Sequence, residues 1–157
     1  FVHAEAPLHF KHMLPDVRPG PTGHDVTRLI AISRLMLGAS FKNIQTSWVK
    51  EGIRQAQWLL DCGANDLGGT LMNESISTSA GAMHGQLMRP SELRRVIRDA
   101  GRVPVQRNTK YEPLQVFALD GANDQESPLD RIEDPEAVLG SYKQLTQLAR
   151  SKRAAAQ

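Results

Sequence analysis

Seven polar side chains stand where short apolar segments of the sequence end, and they are the candidates for chemistry. They are His3, Glu5, Gln45, Ser47, Asn65, Asp66 and Glu74. Imidazole, carboxylate, hydroxyl and amide groups of this kind bind polar substrates through hydrogen bonds. In folds that alternate strands and helices, such groups act at the carboxyl ends of the strands and on the loops that follow. None of the seven is singled out as catalytic, and no metal ligand is expected among them.

A structural role remains open for several of these candidates. His3 and Glu5 are two residues apart, so their side chains point to the same side of a strand. They suit a hydrogen-bonded pair at the rim of a barrel as well as a binding role. Asp66 suits a cap on the following turn equally well.

Gln45 and Ser47 carry a stronger indication of binding. They share one face of a predicted strand, opposite Ile44, Thr46 and Trp48. The interior of a barrel is usually filled by Val, Ile and Leu, and polar groups buried there are costly unless paired. Contact with a substrate is therefore favoured for both residues.

The elements that position these side chains alternate along the chain. The pattern predicts strands at 1–5, 43–49 and 65–70, and helices from Thr22 to Gly38, over 51–61, and from about Ser91 to Gly101. No hairpin signal appears among them. Such alternation is typical of parallel strands joined by right-handed crossovers.

Three strand–helix units cannot cover both faces and both edges of a parallel sheet. A closed barrel of eight units takes roughly 250 residues. We therefore predict an α/β fold in which residues 1–111 form the last three units of a (β/α)8 barrel whose first five units precede them. An acidic linker is predicted over 112–134, followed by a helix over 135–153 within a terminal segment, 135–157, that begins after Asp134.

Several functional classes are disfavoured by composition. No run of 18 apolar residues exists to span a membrane. The single cysteine, Cys62, excludes an internal disulfide framework and an iron–sulfur cluster held by this chain alone. His9 and His12 lack further ligands at suitable spacing for a metal site.

A run of basic residues lacks the interleaved aromatic residues of a nucleic-acid surface, and we assign it to a solvated face. The run comprises Arg89, Arg94, Arg95, Arg98, Arg102, Arg107 and Lys110.

Four sequence blocks resemble one enzyme family. They are FVHAEAPL with RPGPTG, NIQTSWVKEG, GANDLGGTLMNESIS with AGAMHG, and GRVPVQRNTKY, and together they cover nearly all of residues 1–111. The chain resembles the C-terminal part of the radical S-adenosylmethionine domain of FO synthase, in the half that is a tyrosine 4-hydroxyphenyl transferase. The third block is the most discriminating.

The resemblance implies a cytoplasmic enzyme that uses a [4Fe–4S] cluster and S-adenosylmethionine. It implies that L-tyrosine is cleaved and that the hydroxybenzyl fragment is added to 5-amino-6-(D-ribitylamino)uracil on the way to a deazaflavin. The three-cysteine motif that holds the cluster is absent here. We therefore expect this chain to be inactive alone, to need a preceding part of the barrel, and to contribute the seven residues as contacts to the substrates.

Two alternatives stay open. One is a radical enzyme of the futalosine pathway to menaquinone, whose family looks similar around the PGPTG block and the strand–helix blocks. The other is a half-barrel retained as a non-catalytic binding module, with the apolar stripe of the terminal helix as its docking face.

Overall fold

The structure, a computed structural model, describes residues 20–72, 84, 87–141, 144, 147 and 151. His3, Glu5 and Glu74 lie outside the described residues. So does the predicted strand 1–5. The described helices are α1 (Gly23–Leu37), α2 (Trp48–Glu51), α3 (Ile53–Asp61), α4 (Pro90–Asp99) and α5 (Pro135–Leu139), and the described strands are β1 (Val105–Arg107) and β2 (Pro113–Val116).

Helix α1 begins and ends where its sequence predicts. The Thr22 hydroxyl accepts from the Asp25 backbone N–H, and the Asp25 carboxylate accepts from the Thr22 N–H, which satisfies donors that the first turn leaves free. The helix ends at Gly38, whose φ of +48° continues the chain in the left-handed region. Local hydrogen bonds alone therefore set both ends of this element.

Helix α3 is preceded by a break that the sequence pattern does not predict. The predicted helix 51–61 is divided, because Gly52 adopts a φ of +78° between α2 and α3. Helix α2 starts at Trp48, so the predicted strand 43–49 ends earlier than expected. Helix α4 agrees with its prediction to within two residues at either end.

The two central strands are parallel, as predicted, but they are reduced to a single bridge between Gln45 and Asp66. The Thr46 N–H donates to the Asp66 carbonyl at 2.8 Å, and the Asn65 N–H donates to the Ile44 carbonyl at 3.0 Å. Helices and short strands thus mix in the manner of an α/β fold. Among the described residues, no helix is long and apolar enough to cross a membrane.

The core lies between the parallel pair and helices α1, α3 and α4. Its side chains are almost all apolar: Val26, Ile30, Trp48, Val49, Ala56, Leu59, Leu60, Ala64, Leu67 and Val96. The opposite face of α1 is also apolar but exposed, with Leu35 at 83% and Met36 at 80% of full accessibility. Helix α1 is thus apolar on both faces and buried on only one.

A hairpin follows α4, and the sequence analysis was wrong to predict none. Strands β1 and β2 pair antiparallel, with Val105 opposite Val116. The connection holds no glycine; instead, the Asn108 side chain accepts from the backbone N–H groups of Lys110 and Glu112, and Tyr111 takes a φ of +64°. Side-chain hydrogen bonding replaces the usual turn signals.

The segment expected to be an acidic linker contacts helix α4 extensively. Phe117 is buried, and the Arg94 guanidinium lies 4.9 Å from the centre of its ring. Asp124 pairs with Arg98 at 2.6 Å and with Arg94 at 3.3 Å. The solvated face assigned to the basic run was therefore wrong for Arg94, which is buried, and right for exposed members such as Arg95. The division of the chain into domains stays a prediction.

Helix α5 begins as predicted and ends sooner. The Asp134 side chain accepts from the N–H groups of Glu136 and Ala137, and Pro135 occupies the first helical position. The helix ends at Leu139 because Gly140 has a φ of +85°, so the continuous helix predicted over 135–153 was wrong at this point. Most residues beyond 141 lie outside the described part.

Replacing Leu59 by alanine should lower the free energy of unfolding by about 2–5 kcal/mol, because its side chain is fully buried and a cavity would remain. Urea denaturation followed by circular dichroism measures the change. Leu35→Ala is the matched control, and should change the free energy by no more than about 0.5 kcal/mol. Equal effects of the two substitutions would contradict the described core.

Asp124 should make stability depend on acidity. Hydrogen bonding from Arg98 holds the pKa of the Asp124 carboxyl below its ordinary value of 3.8. The folded chain therefore protonates the Asp124 carboxyl less readily than the unfolded chain does. The stabilisation from its pairing with Arg98 is complete above the pKa that Asp124 has in the unfolded chain. It is lost as the pH falls through the lower pKa that Asp124 has in the folded chain. Below about pH 4, the thermal midpoint should fall more steeply for the wild type than for Asp124→Asn.

The control for this experiment is Glu126→Gln, which removes a carboxylate from an exposed ion pair with Arg131. Its profile should follow the wild type, because exposed pairs contribute little. Superimposable profiles for the wild type and Asp124→Asn would show that this ion pair does not fasten the segment to α4.

Candidate substrate-binding site

Gln45 and Asp66 meet at the bridge between the two parallel strands. Side chains of paired residues in a sheet point to the same side, so both face away from Ile44 and Trp48, which pack with the core. A Cβ on Gly68 would lie only 2.8 Å from Gln45 Nε2, which shows that the glutamine amide rests against this glycine. Gly68 thus admits the Gln45 side chain to the carboxyl end of the pair.

The Asp66 carboxylate is held by both of its oxygens. Oδ1 accepts from the Gly68 N–H at 2.7 Å, forming a turn in which Gly68 takes a φ of +80°. Oδ2 accepts from Nε of Arg107, and only 7% of the Asp66 side chain is exposed. The turn-capping role left open for Asp66 is therefore observed, together with an ion pair that the sequence did not indicate.

Arg107 is the residue of this site that sequence reasoning missed. Besides Asp66, its Nη1 donates to the Asn108 carbonyl at 3.0 Å, and its guanidinium lies 4.0 Å from the centre of the Tyr111 ring. Hydrogen bonding to Asp66 raises the pKa of Arg107, so the side chain stays charged. The sequence held no clear signal for it, because among the described residues β1 pairs with β2 in an antiparallel hairpin and the rule for the carboxyl ends of parallel strands does not reach it.

The opposite face of the first strand is structural. Trp48 is buried, and its Nε1 donates to the Gly69 carbonyl at 2.8 Å, which joins the two loops after the strands. Thr46 is also buried, and its hydroxyl has no hydrogen-bond partner among the described residues. The predicted alternation, with Gln45 and Ser47 on one side and these residues on the other, agrees with the burial.

Ser47 and Asn65 were also predicted to bind substrate, which stays a prediction, and both make local hydrogen bonds in the structure. The Ser47 carbonyl accepts from Lys50 and Glu51, which starts α2, and the residue is half-buried. Asn65 accepts from the Ile44 N–H at 2.8 Å and from Arg34 at 3.1 Å, and it donates to the Lys42 carbonyl at 3.1 Å. Asn65 thus fastens the start of the first strand rather than joining Asp66.

The described residues hold no group of three or more metal-binding side chains. Cys62, half-buried at the end of α3, is the single cysteine of the sequence. The site that the structure brings together is accordingly Gln45, Asp66 and Arg107, which we call the bridge-end cluster. Its chemistry is that of hydrogen-bond donors and one fixed ion pair beside an open strand face.

Asn65→Ala and Gln45→Ala should separate structure from binding. Loss of the Asn65 side chain removes its hydrogen bonds to the Ile44 N–H and the Lys42 carbonyl, which are open to solvent, so the free energy of unfolding should fall by about 0.5–1.5 kcal/mol. Gln45 is exposed, and within the described part of the chain its side chain makes no hydrogen bond, so Gln45→Ala should change the free energy of unfolding by no more than about 0.5 kcal/mol. Urea unfolding followed by tryptophan fluorescence, in which buried Trp48 supplies most of the change, measures both, and a reversed order would contradict the assignment.

Comparison with curated proteins gives relatives that share one name, "5-amino-6-(D-ribitylamino)uracil--L-tyrosine 4-hydroxyphenyl transferase". The protein of Methanopyrus kandleri is 48% identical over 117 residues, which are 74% of this chain and 31% of the relative. That of Methanothermobacter thermautotrophicus is 48% identical over 115 residues, 73% and 30% of the two chains. That of Archaeoglobus fulgidus is 57% identical over 95 residues, 60% and 28% of the two chains.

The chain spans about a third of the length of these relatives. No solved structure matches it. The family model described as the CofH/MqnC C-terminal region matches residues 9–119, which include every residue of the bridge-end cluster. Since that match covers most of the 157 residues, the chain belongs to the CofH/MqnC C-terminal region family.

Proposed function

We propose that this chain supplies substrate-binding surface to a 4-hydroxyphenyl transferase that joins the hydroxybenzyl fragment of L-tyrosine to 5-amino-6-(D-ribitylamino)uracil. The observation that carries the proposal is the bridge-end cluster, in which Gln45, Asp66 and Arg107 converge beside the end of a parallel strand pair. Ligands of α/β folds bind at that end of the strands. The shared name of the relatives supplies the reaction and both substrates.

The cluster suits polar, hydroxyl-rich substrates. The Gln45 amide offers both donors and an acceptor, and Arg107 offers donors in a fixed plane. Asp66 is already engaged by Gly68 and Arg107, so it orients its neighbours rather than moving a proton. These residues bind and orient substrates at the open face, and we assign them no bond-breaking step.

The resemblance to radical S-adenosylmethionine enzymes implies a [4Fe–4S] cluster. Such clusters are held by several cysteine thiolates, whereas this sequence has Cys62 alone, half-buried behind α3. The residues of this chain do not fit the cluster. The role proposed for them is therefore confined to the substrates, and cluster and S-adenosylmethionine would be bound by another part of the enzyme.

The proposed setting is the end of a (β/α)8 barrel in a cytoplasmic enzyme. Two features support the barrel. The central strands are parallel, and parallel sheets require cover on both faces. The outer face of α1 is apolar and exposed at Leu35 and Met36, as expected for a helix with a neighbour in a ring of helices. The first five strand–helix units would supply that neighbour.

A chimera tests the proposal. The segment of the Methanopyrus kandleri enzyme that aligns with this chain is replaced by the corresponding residues of this chain, and the protein is supplied with L-tyrosine and 5-amino-6-(D-ribitylamino)uracil. Because this chain is 48% identical to the segment that it replaces, the chimera should form the coupled product at a rate within about tenfold of the intact enzyme, a loss of no more than about 1.4 kcal/mol. Mass spectrometry of the product measures this.

The intact enzyme and a chimera carrying Arg102→Gln serve as controls, since Arg102 is exposed and pairs with Asp61 away from the cluster. Far-ultraviolet circular dichroism and the thermal midpoint establish that each chimera is folded. A folded chimera that yields no coupled product would overturn the proposed function.

A further inference from the structure

Arg107 is immobilised on three sides. Its Nε donates to Asp66, its Nη1 donates to the Asn108 carbonyl at 3.0 Å, and the Tyr111 ring covers one face at 4.0 Å. The side chain is nevertheless 28% exposed. An arginine held in this way has lost most of its rotamer freedom before any ligand arrives, so a further contact costs little conformational entropy.

Three of the five N–H groups of Arg107 remain for a ligand. A guanidinium carries one N–H on Nε and two on each Nη. Asp66 and Asn108 use two of these five, and within the described part of the chain no acceptor is recorded for either N–H of Nη2 or for the second N–H of Nη1. The unused groups are carried by the two Nη atoms, at the outer end of the planar guanidinium.

The unused N–H groups belong to the bridge-end cluster. Arg107 reaches the cluster by bonding to Asp66, the bridge partner of Gln45, whose amide rests against Gly68. The Asp66 charge is shared between Arg107 and the Gly68 N–H, which leaves the guanidinium able to attract a second anion. Planar carboxylates match the guanidinium fork and form the stronger, charge-assisted hydrogen bonds.

We propose that Arg107 binds the α-carboxylate of the amino-acid substrate, and that Asp66 is the positioning residue that fixes the plane of its guanidinium. The inference rests on the proposed function, which supplies L-tyrosine as that substrate. Of the two substrates, L-tyrosine carries a carboxylate and 5-amino-6-(D-ribitylamino)uracil carries none. Arg107 therefore selects between them by charge.

Binding of L-tyrosine and of tyramine, which lacks the carboxylate, tests the assignment in the chimera. Arg107→Gln should weaken L-tyrosine binding about 10- to 150-fold, which corresponds to the loss of one charged hydrogen-bonding partner. The dissociation constant of tyramine should change less than about twofold. Arg107→Lys should recover part of the affinity, because it retains the charge without the fork. Calorimetric titration measures all three.

Asp66→Asn tests the positioning role. It should raise the KM for L-tyrosine while leaving the KM for the uracil substrate unchanged, which a general loss of structure would not do. Arg102→Gln is again the matched control and should leave both values unchanged.

Three outcomes would overturn the inference. The first is equal weakening of L-tyrosine and tyramine binding by Arg107→Gln. The second is a rise, in Asp66→Asn, confined to the KM of the uracil substrate. The third is a rise in that variant confined to the KM of S-adenosylmethionine, whose methionyl carboxylate is the other carboxylate that Arg107 could bind. In each case a chimera that still forms product leaves the proposed function intact. A chimera that binds L-tyrosine through Arg107 but forms no product would instead contradict the proposed function alone.

Discussion

The ion pair between Asp66 and Arg107 connects the parallel strand pair to the hairpin that follows α4. Asp66 accepts the backbone hydrogen bond that pairs the parallel strands, and its carboxylate caps the Gly68 turn. Arg107 belongs to the hairpin that follows α4. A buried carboxylate that loses its partner costs about 3–5 kcal/mol, so the pair constrains where the hairpin can lie. The geometry of the bridge-end cluster depends on this one contact.

Elements whose limits are set by local hydrogen bonds could be predicted from the sequence. Helix α1 is the clearest case, because Thr22, Asp25 and Gly38 determine its ends without help from distant residues. The parallel direction of the central strands followed from the alternation of strands and helices. The hairpin could not be recognised in the same way, since its turn relies on the Asn108 side chain and on a non-glycine residue, Tyr111, in the left-handed region.

Part of the candidate site could also be predicted from the sequence. Gln45 and Asp66 were predicted because they stand at the ends of apolar segments, and the structure places them side by side; their role in binding stays a prediction. Asn65 matched the same pattern, yet its side chain points to Arg34 and the start of the first strand. Arg107 was hidden within a basic run whose members have different environments: Arg94 is buried against Phe117, whereas Arg95 is exposed. Charge spacing along a chain does not report which charges a distant carboxylate will attract.

Position 111 illustrates a conflict between backbone and side chain. Glycine would adopt the φ of +64° without the penalty of about 1–2 kcal/mol that an ordinary residue incurs there. It would also remove the aromatic face that lies against Arg107. Glycine at 111 would therefore remove the backbone strain and also the ring contact that holds Arg107. An aromatic residue at 111 would keep both. A single substitution at 111 therefore exchanges backbone strain against the fixing of Arg107, and the two cannot be optimised together by that residue alone.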